Sequence, residues 1–148
     1  MKGNKLSVLI TGASTGIGRA CALYLDNEGY KVYAGVRNSE DFDSLLKAGS
    51  DRIQPVILDV CEDEDVENTL RTILKDKDNT LFGLVNNAGI GISGLIEATP
   101  MTELKRIFEV NFFGLHRVSQ AFLPLIRKNK GRIINIGSSS SFMSGPAL

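Results

Sequence analysis

The octapeptide Thr11-Gly12-Ala13-Ser14-Thr15-Gly16-Ile17-Gly18 constrains this chain more than any other stretch. A short apolar run, Leu6-Ser7-Val8-Leu9-Ile10, precedes it and reads as a buried strand. Residues 16–28 follow, with Ile17, Ala20, Cys21 and Leu25 at helical spacing and Gly29 as the closing glycine. The glycines at 12, 16 and 18 have G-x-x-x-G-x-G spacing. Gly12 permits a tight turn, Gly16 lets a diphosphate approach the backbone, and Gly18 lets the helix pack closely on the sheet. The helix N-terminus adds free N–H groups and about half a positive charge. Strand, loop and helix in this order predict a nucleotide-binding unit, with Ser14, Thr15 and Ile17 as further contacts in the loop. A glycine-rich connector without a ligand is the plainer alternative.

The alternation continues along the chain. Strands are expected at residues 31–36, 53–58, 81–85 and 133–136, and helices at 40–48, 62–75 and about 102–128. Pro124 should bend the last helix or cap its final turns. This β-α-β order predicts one α/β domain over residues 1–148: a doubly wound parallel sheet of the Rossmann type, about five strands wide and incomplete at its C-terminal edge.

Charge and composition narrow the function. Seventeen basic and seventeen acidic residues give a formal net charge of zero, so nothing draws the chain to nucleic acid or an anionic membrane surface. No apolar run is long enough for a secretory signal or a membrane span, so a cytoplasmic location is expected. Cys21 and Cys61 fit no metal-ligand spacing and read as buried free thiols. The single histidine, His116, reads as structural, and no metal site is expected.

The second strand ends Gly35-Val36-Arg37. An NAD site usually places an acidic residue there for the ribose hydroxyls. Arg37 instead suits the 2′-phosphate of NADP in a fork geometry, so NADP is the favoured cofactor and NAD remains possible. A solvated surface arginine is the alternative reading.

The glycine loop, Asp59-Val60, Asn86-Asn87-Ala88-Gly89, Asn111 and a strand running into Ser138 together resemble the short-chain dehydrogenase/reductase family. Stretches such as Leu58-Asp59-Val60-Cys61 and Phe122-Leu123-Pro124-Leu125-Ile126-Arg127 are similar to the branch containing 3-hydroxybutyrate, retinol and hydroxysteroid dehydrogenases. The resemblance implies hydride transfer between a nicotinamide cofactor and a small-molecule alcohol or ketone. It gives Asp59 the adenine amino group and the Val60 backbone the ring. Asn86, Ala88 and Gly89 would line the cofactor ribose and steady the central strand. Ser138 would hydrogen-bond the substrate oxygen, with Ser139 the rival and Pro146 at the expected spacing. Asn111 falls within the apolar stripe of the long helix, so its amide must find partners. The family uses that position to hold a relay water; bonding to nearby backbone is the alternative.

The resemblance also implies a catalytic tyrosine with a lysine four residues later, and their place falls three residues past Leu148. Tyr24, Tyr30 and Tyr33 lie in the first αβ unit and cannot substitute. The expectation is a fragment that binds cofactor without turnover, taken from an enzyme that is homo-oligomeric through its long helix. A non-catalytic nucleotide-binding or interaction module is the alternative.

Overall fold

The computed structural model describes residues 5–77 and 79–141, so Pro146 lies outside the described residues. Five strands, β1 (Lys5–Ile10), β2 (Lys31–Val36), β3 (Ile53–Ile57), β4 (Asn79–Asn86) and β5 (Arg132–Asn135), form one sheet. Its order is β3-β2-β1-β4-β5, and every pairing is parallel. The doubly wound prediction holds. The winding reverses between β1 and β4, which opens a crevice at their carboxyl ends, where such sheets bind ligands.

Period-2 alternation along each strand sorts the core into two layers. Val8 and Ile10 of β1 point to one face, with Val32, Ala34 and Val36 of β2. Helices α1 (Gly16–Asn27) and α2 (Ser39–Ala48) cover that face through residues such as Ala22 and Leu45. Leu9, between Val8 and Ile10, points the other way and joins Leu84. Helices α3 (Asp63–Lys75) and α5 (Leu115–Lys128) close that side with Val66, Ile73, Val118, Phe122 and Ile126. Each such side chain taken fully from water stabilises the fold by about 1.5–3 kcal/mol.

The long helix departs from the prediction. It runs as α4 (Met101–Phe108), a π-helical turn (Glu109–Gly114) and then α5. Pro124 lies inside α5, which continues to Lys128. The expected apolar stripe is buried only in its second half. Val118 and Phe122 are fully enclosed, whereas Leu104 and Phe108 face outward. Both cysteines are free, as expected, but they are half-buried rather than buried.

Candidate functional site

The glycine loop is held by its ends. Thr11 N–H donates to Val85 O (3.0 Å) and Ala13 N–H to Gly35 O (2.8 Å), which ties the loop to β4 and β2. Intrahelical bonding in α1 starts with Arg19 N–H donating to Thr15 O (3.2 Å), so the amides of Gly16, Ile17 and Gly18 precede the ladder. Thr15 caps α1 without a side-chain hydrogen bond. The three glycines have three different reasons. Gly12 has φ +65°, and a Cβ there would stand 2.8 Å from Ala88 Cα. Gly16 has φ +55° with open space where its Cβ would project. Gly18 has an ordinary φ, but a Cβ would collide with Gly12 O and Asn87 Nδ2.

The carboxyl end of β3 forms the next wall. Asp59 N–H donates to Asp65 Oδ2 (2.9 Å), and Asp59 Oδ1 accepts from Cys61 N–H (2.9 Å). The Cys61 thiol also hydrogen-bonds the Asp59 carboxylate. Val60 O accepts from Arg117 Nη1 (2.7 Å), so only the N–H of Val60 remains for a ring nitrogen. Arg117 also reaches Asp63 Oδ1 (2.6 Å) and Glu109 Oε1 (3.0 Å). Burial opposes its charge, but Glu109 and Asp63 hold the guanidinium firmly protonated. Burial pushes the Cys61 thiol up, with Asp59 and Glu109 adding to the rise and Arg117 opposing it, so the thiol stays protonated and weakly nucleophilic.

Beyond β4, Thr11 and Asn87 stitch two loops together. Thr11 Oγ1 accepts from the amides of Asn87 (3.0 Å) and Ala88 (2.9 Å). Asn87 Nδ2 donates to the carbonyls of Thr11 (3.0 Å) and Gly12 (2.9 Å). Asn86 is buried and turned away from the crevice. Its Nδ2 donates to Ser119 Oγ and Asn135 Oδ1, both at 2.9 Å, while its Oδ1 has no partner. Asn86 is not among the residues that line the cleft. Its neighbours on α5 and β5 claim the side chain, and it braces the central strands.

Asn111 is corrected in part. It sits in the π-helical turn and is exposed, because the extra residue in that turn rotates it off the buried face. Its amide does find partners: Oδ1 accepts from Ile90 N–H (2.9 Å) and Nδ2 donates to Ile90 O (2.8 Å). Ser138 is exposed beyond β5 and its Oγ accepts from Ser140 N–H (3.1 Å). Ser139 begins a 3-10 turn, Ser139–Ser141. His116 is exposed.

These elements enclose a cleft of about 660 Å³. It brings together Gly12, Ser14, Thr15, Gly16, Ile17, Arg37, Asp59, Val60, Ala88 and Gly89 from four separate segments. Gly18 and Asn86 stand behind the wall, and Asn111 and Ser138 are not among the lining residues. Arg37 makes no ion pair among the described residues and is exposed at the rim. Free helix amides, an unpaired cation and a carboxylate suit a ligand with a diphosphate, a further anionic group and an amino-bearing ring. Sequence reasoning missed Asn87 as an organising residue, although its Asn pair was visible. It also missed Arg106, Glu109 and Val110, which line the cleft from the α4 side. No local signal marks those three: Arg106 lies in α4 and Glu109 and Val110 in the π-helical turn. Among the described residues no helix is long and apolar enough to cross a membrane.

Known proteins resemble this chain throughout. A family profile described as short chain dehydrogenase matches residues 6–148. Mitochondrial D-beta-hydroxybutyrate dehydrogenase of Bos taurus is 43% identical over 148 residues, covering 95% of this chain and 43% of that protein. A short-chain dehydrogenase from Streptomyces avermitilis superposes with a TM-score of 0.88 at 34% identity, over 99% of this chain and 54% of that one. The closed form of serine dehydrogenase complexed with NADP+ superposes with a TM-score of 0.88 at 29% identity, over 95% and 57% respectively. The chain therefore spans about half the length, or less, of these proteins.

Proposed function

This chain belongs to the short-chain dehydrogenases, a family of oxidoreductases, and from that premise we propose that it is the cofactor-holding part of an NADP-preferring enzyme acting on an alcohol or ketone. One observation carries the reading: ten residues named from the sequence line one cleft at the point where the sheet's winding reverses. The serine dehydrogenase complexed with NADP+ supports a nicotinamide cofactor in general.

The residues present fit such a group. The amides of Gly16 and Ile17 would hold the diphosphate at the positive end of α1, and Gly16 leaves the room. Arg37 takes the 2′-phosphate in a fork geometry. The Asp59 carboxylate would accept from the adenine amino group and Val60 N–H would donate to the ring. Ala88 and Gly89 border the ribose. When bound, the nicotinamide supplies or accepts the hydride. Ser138 hydrogen-bonds the substrate oxygen and stabilises its developing charge. Asn111 has a second amide hydrogen and lone pair left over from its two bonds to Ile90, enough to hold one water. A tyrosine and a lysine are not supplied by these positions, and losing a tuned acid–base group costs about 10²–10⁴-fold in rate. The 148-residue polypeptide is accordingly inactive by itself.

Titration with NADPH should quench its fluorescence saturably. Alcohol and ketone panels should show no turnover, and a chain continued through a Tyr-x-x-x-Lys segment should show it. Binding without turnover in that longer chain would point to a non-catalytic nucleotide-binding module. Arg37→Glu should reverse the cofactor preference by about tenfold or more, or 1.4 kcal/mol. NAD(H) binding tighter than NADP(H) in the unaltered chain would refute the role given to Arg37.

A further inference from the structure

Resting on the nucleotide reading of the cleft, we infer that Arg117 is a positioning residue for the adenine end of the cofactor, acting through Val60 and Glu109. Val60 belongs to the loop between β3 and α3, where ladder bonding has ended. The last ladder-like bond is Leu58 N–H donating to Val36 O (2.8 Å). Past that point one backbone bond, Glu62 N–H donating to Asp59 O (3.1 Å), and several side chains hold the loop. Its Val60 carbonyl is held from α5, by Arg117 Nη1 at 2.7 Å. The same guanidinium takes Asp63 in the first turn of α3 and Glu109 in the π-helical turn. Val60 and Glu109 both line the cleft, so one cation joins two of its walls.

Backbone packing keeps the reach short. Gly114 lies against Val60, where an added Cβ would stand 2.6 Å from Val60 Cγ2. This contact presses the start of α5 onto the loop. Three acceptors around one planar fork suit arginine, because lysine presents a single point charge that cannot bond three divergent groups in fixed directions. Without the guanidinium, the Asp63 and Glu109 carboxylates would repel and the Val60 carbonyl would lose its partner. That end of the cleft would loosen. The diphosphate end is anchored separately, by the Thr11, Ala13 and Asn87 bonds to β2 and β4.

The test compares Arg117→Met and Arg117→Lys with the unaltered protein. Titrations use NADPH and adenosine 2′,5′-bisphosphate, alongside amide NMR. Arg117→Met should weaken both ligands by about tenfold, with Arg117→Lys between it and the unaltered protein. In Arg117→Met, NADPH should still shift the amides of residues 16–18 while the Val60 and Cys61 shifts collapse. Equal loss of both sets, as partial unfolding would produce, overturns the assignment, and so does unchanged affinity. Should Arg117→Met fail to fold, Asp63→Asn removes one arm of the fork and should weaken both ligands by about threefold. No change in that variant is equally fatal. If the unaltered protein binds neither ligand, the nucleotide reading falls and takes this inference with it. If it binds and the variants match it, only the role of Arg117 is lost.

Discussion

Gly16 and Gly18 are two residues apart and are glycine for opposite reasons. At Gly16 the constraint is a left-handed φ, and the space beyond it is empty. Alanine there should cost about 1–2 kcal/mol from the backbone conformation alone. Its methyl would occupy the approach to the α1 amides, so NADPH affinity should fall much further than stability. At Gly18 the backbone is relaxed, but the methyl would enter Gly12 O and Asn87 Nδ2. Overpacking of this kind typically costs about 1–3 kcal/mol, so Gly18→Ala should mainly destabilise the fold. Urea denaturation paired with NADPH titration separates the two. Matching profiles for both variants would show that the steric assignment is wrong.

Elements in this fold are joined by polar clasps that sit far from the cleft. Asp26, in the last turn of α1, is buried; its carboxylate accepts from Ser50 N–H (2.9 Å) and Ser50 Oγ–H and forms an ion pair with Arg52 (3.2 Å), whose Nε–H donates to the Asp26 backbone carbonyl (3.1 Å). Burial alone would raise its pKa. The Ser50 hydrogen bonds and Arg52 outweigh that and hold the carboxyl below its ordinary value. A group depressed in the folded state stabilises the fold above its unfolded pKa. That contribution is lost as pH falls through the folded value. Thermal melts from neutral to acid pH should therefore show a gap between the unaltered chain and Asp26→Asn that closes on the acid side. A gap that widened with acid would contradict the clasp. The π-helical turn is the other element-scale feature. The apolar periodicity of residues 102–128 reads straight through it, because one extra residue shifts the facing without removing any apolar side chain.

At the scale of the molecule, two faces stay uncovered. Strand β5 pairs with β4 alone among the described residues, and Ile134 on it is 52% exposed. Along α4 and the turn after it, Met101, Leu104, Phe108 and Phe113 form an exposed apolar surface. Unpaired strand edges and apolar patches of this sort favour association. The chain should self-associate as its concentration rises, through a second copy packed on the α4 surface. Phe108→Glu should shift light-scattering masses toward the monomer. A monomer at every concentration in the unaltered chain would argue against that packing.

What the sequence alone determined was the order of elements, the parallel winding and most of the residues that line the cleft. Those properties follow from local signals: alternation in strands, helical spacing, and three glycines at one strand-to-helix junction. The tertiary structure alone decided which polar groups meet. Thr11 and Asn87 lie 76 residues apart along the chain, and Val60 and Arg117 lie 57 apart. No periodicity encodes those pairings, because they depend on the crossover that sets β4 beside β1 and on the extra residue that turns Glu109 into the cleft and Asn111 onto Ile90. Burial on β4 likewise brings Asn86 to Ser119 and Asn135.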